Sequence, residues 1–247
     1  MAKVLINGKS GTGKTSLIRT LRNAFVVSRD GKQFSLPIPH MTIPNYTDMK
    51  TVIHGGTVTD AEGNAEEVPG IFDKLEAYNE KFGEYPETVV IDSVSKLMQD
   101  AIDSSNLNFT NFEIHSNLAK EIAILTSFVQ EDLVANGVNV VLINHVMDND
   151  KNGLVPVGQG KFRDKGGFYG EVDESLLITD NFKIIHRGAA NQARTLLDDL
   201  PDTQYVENTV NPSKSRKLKD DEAYFDLQEY IDKVNSHGND VADKYEL

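Results

Sequence analysis

Gly8-Lys9-Ser10-Gly11-Thr12-Gly13-Lys14-Thr15 spells the pattern G-x-x-x-x-G-K-[ST], and its flanks decide what it means. Before it runs a short apolar segment, Lys3-Val4-Leu5-Ile6-Asn7, with the composition of a strand. After it, Ser16 to Phe25 carries helical spacing, with Leu17, Ile18, Leu21 and Phe25 on one side. Strand, glycine loop and helix together make a phosphate cradle: the glycines let successive backbone N–H groups turn inward, and the helix N-terminus adds its positive dipole end. Lys14 is then placed to reach β- and γ-phosphates, and the Thr15 hydroxyl to ligate Mg²⁺. The motif therefore predicts a bound nucleoside triphosphate, with Gly8, Lys9, Ser10, Gly11, Thr12, Gly13, Lys14, Thr15 and Ser16 lining its phosphates.

Outward from this loop, the chain reads as an α/β domain. Its 247 residues suffice for one buried parallel sheet with elaborations. Ala24–Ser28, Thr88–Asp92 and Val138–His145 read as strands, the last a continuous apolar run of the kind buried on both faces. Phe34 to Tyr46, interrupted by Pro37, Pro39 and Pro44, reads as an edge hairpin or extended loop. His54 to Pro69 reads as an exposed loop. Helices are expected over Gly70–Phe82, Val94–Ile102 and Phe112–Ala135. Ser175–Thr179 and Phe182–His186 form a late hairpin, and Glu222–Val234 a helix in a tail that frays beyond Ser236. The alternation predicts a doubly wound, mostly parallel sheet without internal repeats, with residues 1–210 as the domain and 211–247 as a basic run followed by an acidic helical tail.

Composition narrows the function. No run approaches the ~18 apolar residues that span a membrane, and no signal-like segment precedes the first strand, so a cytoplasmic protein is expected. The chain has no cysteine, hence no disulfide or thiolate site, and its six His are scattered without H-E-x-x-H, so no zinc is assigned. A formal charge of −13 disfavours unspecific attraction to nucleic acid, although Ser213–Lys219 is a compact basic run.

The second half of a nucleotide site is sought on the strand Thr88-Val89-Val90-Ile91-Asp92, which delivers Asp92 to the edge where α/β sheets bind ligands. There Asp92 would hold Mg²⁺ through water beside Thr15; the competing reading makes it a cap for the following helix. A GTPase would carry N-K-x-D, whereas the nearest stretch is Asn144-His145-Val146-Met147-Asp148; Ser95 stands where a GTPase has Gly; L-S-G-G-Q is absent. ATP is the expected nucleotide. Ser93 occupies the position where many ATPases place a catalytic Glu, so the base is sought elsewhere. Asp30, after the second strand, is the candidate, against its reading as an Asp-Gly turn. Asn144 and His145, ending the strand beside the P-loop strand, are candidates for sensing γ-phosphate or orienting water, or a plain strand end.

From Ala2 to about Pro201 these residues resemble the RecA-like ATPases of phage, in particular the single-strand annealing group with a RecA-type core. The resemblance rests on the P-loop, on Val90-Ile91-Asp92-Ser93, on the strand ending in Asn144-His145 and on the basic glycine-rich segment that follows. It implies a RecA-like ATPase acting on single-stranded DNA in recombination or annealing, as a homo-oligomer, in the host cytoplasm if phage-encoded. Asp30 falls where that family has a catalytic Glu, and Arg194, with Arg187 second, where it sends a cation into the neighbouring subunit's ATP. The DNA route offered by the chain is Lys151, Lys161, Phe162, Arg163, Lys165, Phe168 and Tyr169, cations tracking the backbone and aromatics stacking on bases, unless those aromatics tuck back onto the core. A small-molecule kinase and a nucleotide-dependent scaffold with little hydrolysis are the alternatives.

Overall fold

The computed structural model describes residues 1–29, 34–43, 46–59, 63–110, 112–149, 153–156, 167–188, 193–201, 203–209 and 215–245. Its strands are β1 (Lys3–Gly8), β2 (Ala24–Ser28), β3 (His40–Thr42), β4 (Gly56–Thr59), β5 (Ala65–Val68), β6 (Thr88–Asp92), β7 (Asn139–Asn149), β8 (Gly153–Pro156), β9 (Glu174–Ile178), β10 (Lys183–Ile185) and β11 (Gln204–Tyr205). The helices are α1 (Lys14–Leu17), α2 (Met49–His54), α3 (Ile71–Phe82), α4 (Val94–Asn108), α5 (Phe112–Ser127) and α6 (Leu227–Tyr245).

The main sheet runs β11-β10-β9-β1-β7-β6-β2-β3, with β8 paired to the outer part of β7. Every pairing from β9 to β3 is parallel, and β10 and β11 return antiparallel. The sheet is doubly wound and mostly parallel, as the alternation predicts.

Period-two alternation sends successive residues to opposite faces. Leu5, Val27, Val89, Ile91, Val140 and Leu142 belong to one core, closed by Leu75 of α3, Leu97 and Met98 of α4, and Leu125 of α5 with Phe128. Val4, Ile6, Val26, Val90, Val141, Ile143 and Leu176 belong to the other, covered by Leu17, Ile18 and the α6 residues Leu227, Tyr230, Ile231 and Val234. This two-sided burial is why the central strands are apolar almost throughout.

Several elements differ from the sequence expectation. The helix expected over Ser16–Phe25 is α1 and a 3₁₀ turn, Ile18–Thr20. Leu21 is already extended, and Phe25 lies inside β2. The apolar residues that suggested a helix are buried, but by a shorter path. Phe34–Tyr46 contains β3, an edge strand paired parallel to β2 and no hairpin with it. The loop expected at His54–Pro69 is an antiparallel hairpin, β4–β5. α4 runs six residues past Ile102, to Asn108. The long helix expected to Ala135 widens to π-helical geometry at Phe128–Leu133, tightens to 3₁₀ at Val134–Asn136 and stops at Gly137, whose φ is 84°. Nor does β7 stop at His145: it extends to Asn149, where β8 pairs with it. α6 stays helical past Ser236. No helix among the described residues is long and apolar enough to cross a membrane.

Candidate active site

Parallel pairing places β7 between β1 and β6, opposing Asn7 to Asn144 and Gly8 to His145 on one side and Ile143 to Asp92 on the other. The ends of β1 and β6 and the middle of β7 therefore share one sheet edge. Just beneath that edge a polar ladder crosses three strands. Asn7 Nδ2 donates to Ser175 Oγ at 2.9 Å, and Asn144 Nδ2 donates to Asn7 Oδ1 at 2.8 Å. Asn7 and Ser175 are fully buried and Asn144 nearly so. A buried polar group this well hydrogen-bonded fixes its strands in register at little net cost.

The loop above β1 has the shape its glycines require. Gly11 and Gly13 take φ of 82° and 89°, a region that side chains with a Cβ rarely enter. A Cβ on Gly8 would stand 2.6 Å from Thr12 Oγ1, so a side chain there would force the Thr12 hydroxyl to move. Lys14 is buried beneath the loop, its Nζ donating to the Gly8 and Lys9 carbonyls at 2.8 Å each. Thr15 Oγ1 donates to Asp92 Oδ2 at 2.9 Å, joining residues 77 positions apart. The helix-capping role weighed for Asp92 falls to Ser93, whose side chain accepts from the Lys96 N–H at the start of α4. The Asp92–Ser93 peptide is cis.

A hydroxyl beside a carboxylate is a hard oxygen donor pair, the chemistry that suits Mg²⁺ with water and phosphate oxygens completing its shell. Among the described residues, no group of three or more His, Cys, Asp or Glu is placed to hold a metal by itself.

Around this centre three further contacts were not legible in the sequence. Lys9 Nζ meets Asp148 at 2.7 Å and Asp180 at 3.0 Å, and these carboxylates, Asp148 first, raise its pKa above the usual lysine value. Arg29 donates its backbone N–H to the Asp92 carbonyl at 2.6 Å and its Nε to Asp100 at 2.7 Å; Lys96 holds the other Asp100 oxygen at 2.7 Å. Asn208 donates to the Gly11 carbonyl at 2.9 Å from 197 residues away. Nothing local announces such a partner. Asn7 did carry a signal, as a lone amide in an otherwise apolar strand.

The remaining candidates are distributed as follows. Lys14, Thr15, Asp92, Asn144 and His145 converge on the one edge, with Asn144 engaged in the ladder and the His145 N–H donating to Ser95 Oγ at 3.1 Å. Asp30, Lys151, Lys161, Phe162, Arg163 and Lys165 lie outside the described residues. Phe168 is buried in the core, and Tyr169 packs partly against it with the Arg194 guanidinium 4.6 Å from its ring. Arg194 also donates to the carbonyls of Tyr169 at 3.0 Å, Asp173 at 3.3 Å and Val172. Arg187 pairs with Asp198 at 3.0 Å.

A family model described as an AAA domain matches residues 1–155, from before β1 into β8. No curated protein matches the chain.

Proposed function

Since the chain belongs to the AAA-domain family, a family of P-loop ATPases, we propose that its P-loop edge binds and hydrolyses ATP with Mg²⁺, and that an assembly of copies applies this turnover to single-stranded DNA. The observation that carries the ATPase reading is the 2.9 Å contact between Thr15 and Asp92, which unites the two halves of a nucleotide site across the sheet.

In this reading the backbone N–H groups from Gly11 to Thr15 receive the phosphates, and Lys14 exchanges its two carbonyl partners for β- and γ-phosphate oxygens. Thr15 and Asp92 hold Mg²⁺, which when bound neutralises charge building on the phosphates. Asp30, next after a residue tied to both Asp92 and Asp100, takes the water-orienting role that Ser93, occupied as a helix cap, leaves open. Asn144 fixes β7 and His145 stands at the phosphate edge.

The DNA part draws on the RecA-like resemblance and on the sequence that follows β8, which carries Lys161, Arg163 and Lys165. A finger supplied to a neighbouring copy by Arg194, or by Arg187, would have to give up its present bonds within the chain.

The test is ATP hydrolysis with and without single-stranded DNA, in the wild type and in Lys14→Ala. DNA-stimulated turnover that Lys14→Ala abolishes is the expected result. Phosphate transfer to a metabolite would instead make the protein a kinase, and slow turnover indifferent to DNA would make it a scaffold. Normal turnover in a folded Lys14→Ala protein would overturn the site itself.

A further inference from the structure

α4 carries a carboxylate where its neighbours are apolar. Leu97 and Ala101, close to Asp100 along the helix, belong to the buried core, and Asp100 is itself only 9% exposed. Both of its oxygens are held by cations. Arg29 Nε donates to Oδ2 and Lys96 Nζ to Oδ1, at 2.7 Å each. The Arg29 side chain is 16% exposed, so this pair is largely withdrawn from water. A desolvated ion pair gains little stability over well-packed apolar side chains of the same size. Its presence under the sheet edge calls for another explanation.

The path of the chain supplies one. β2 and β6 pair in parallel as far as Ser28 and Asp92. One residue on, the Arg29 N–H donates to the Asp92 carbonyl at 2.6 Å. From Asp92 the chain passes through Ser93, whose side chain caps α4, and Asp100 lies roughly two turns along that helix. Its carboxylate reaches back to the guanidinium of Arg29. The bonds close a ring: Asp92 carbonyl, Arg29 backbone, Arg29 side chain, Asp100, α4 and Asp92 again. Lys96, on the helical arm of the ring, holds the second oxygen and keeps the carboxylate from turning. The end of β2, the end of β6 and α4 are thereby tied together around the residue whose own carboxylate accepts from Thr15 at 2.9 Å.

We propose that Asp100 is a positioning residue for the Mg²⁺ end of the site: through Arg29 it fixes the main chain of Asp92, and so the aim of the Asp92 carboxylate toward the Thr15 hydroxyl. The proposal rests on the nucleotide reading above and adds to it what holds that end in shape. Asp100 touches neither nucleotide nor metal. A carboxylate that acts on a metal takes its orientation from the groups bonded behind it, and their loss is felt at the metal. The same ring fixes the exit of β2, from which the chain continues into Asp30.

The experiment titrates the full chain calorimetrically with ADP, in Mg²⁺ and in EDTA, and follows ATP hydrolysis against Mg²⁺ concentration. Wild type should bind ADP more tightly in Mg²⁺. Asp100→Asn should bind ADP in EDTA as the wild type does, yet lose roughly 10- to 100-fold in its affinity for Mg²⁺ and need correspondingly more Mg²⁺ for half-maximal turnover. Should Asp100→Asn not fold, Arg29→Met with Asp100→Leu removes both charges together, the exchange that buried pairs tolerate, and should show the same Mg²⁺ defect. A folded variant with a lowered melting temperature and an unchanged Mg²⁺ requirement makes the pair structural and overturns the proposal. Equal loss of ADP affinity in Mg²⁺ and in EDTA overturns it too. A wild type that binds ADP in neither medium overturns the nucleotide reading beneath it.

Discussion

Asp92 and Glu174 are both buried carboxylates, yet they serve different ends. Asp92 accepts from the Thr15 hydroxyl at the end of β6, in the place proposed for a hydrated cation. Asp92→Asn should therefore leave the fold intact while lowering Mg²⁺-dependent turnover by roughly 10- to 100-fold, the cost of weakening a ligand that acts through water. Titrating Mg²⁺ against rate at saturating ATP checks this, and an unchanged Mg²⁺ requirement would remove Asp92 from the site. Glu174, fully buried, accepts from the Leu196 N–H at 3.0 Å and from the Tyr230 hydroxyl, which in turn lies 3.0 Å from Thr195 Oγ1. Burial first, and the Glu174 charge second, keep the Tyr230 proton on oxygen far above the usual range. Tyr230→Phe removes that donor from a fully buried carboxylate, so it should cost about 1–3 kcal/mol of stability with ATP binding retained. Chemical denaturation of the two proteins measures it directly.

Among the elements, those whose information is contiguous were readable in advance, and those assembled from distant segments were not. Gly8–Thr15 states its own conformation, and Thr88–Asp92 points one carboxylate at the sheet edge, because eight and five neighbouring residues contain everything needed. The Asn208 contact with Gly11 and the Lys9 pairing with Asp148 and Asp180 depend on chain returns of 139 to 197 residues, for which no local pattern exists. α1 was overestimated for a related reason: Leu17, Ile18 and Leu21 satisfy helical spacing and also a short helix leading into β2, and the packing of α6 on this turn decides between them. That docking has a pH signature. His186, next to β10, lies 5.8 Å from Phe225 and 6.0 Å from Tyr230. Burial lowers its pKa below the ordinary value of 6.5, with Arg187 adding to the effect and Gln204 opposing it. The folded protein thus binds this proton less readily than the unfolded chain. Stability is fully present above the unfolded pKa and declines as pH falls below about 6.5. His186→Phe should flatten that slope between pH 7 and 5; an identical slope would place the acid sensitivity elsewhere.

For the whole molecule, the charge of −13 sets the terms on which a polyanion can be bound. Attraction must be local, and it must fade quickly with salt. Replacing Lys161, Arg163 and Lys165 together by Ala should weaken single-stranded DNA binding and lower its log–log salt slope by about 2, at ~0.7 per lost phosphate contact, with ATP binding untouched. Titration of a labelled oligonucleotide at several salt concentrations decides it: an unchanged slope moves the contact elsewhere on the surface, and no binding at all by the wild type removes DNA from the function. The length of β7 gives the P-loop edge a mechanical reach of its own. The strand is paired with β6 as far as Ile143 and with β1 as far as His145, and then continues four residues to Asn149 before its partner β8 turns back. From Asn144 to Asn149 that is roughly 17 Å of stiff backbone at ~3.3 Å per residue. Its root carries the amide that bonds to Asn7 beside the P-loop. Partway along, Asp148 is moored to Lys9 on the loop itself. It is a lever with its fulcrum at the sheet edge: a tilt of about 5° at the root displaces the tip by about 1.5 Å over that span. Leverage works in both directions, so a load on the tip pulls on Lys9, whose carbonyl holds the Lys14 ammonium.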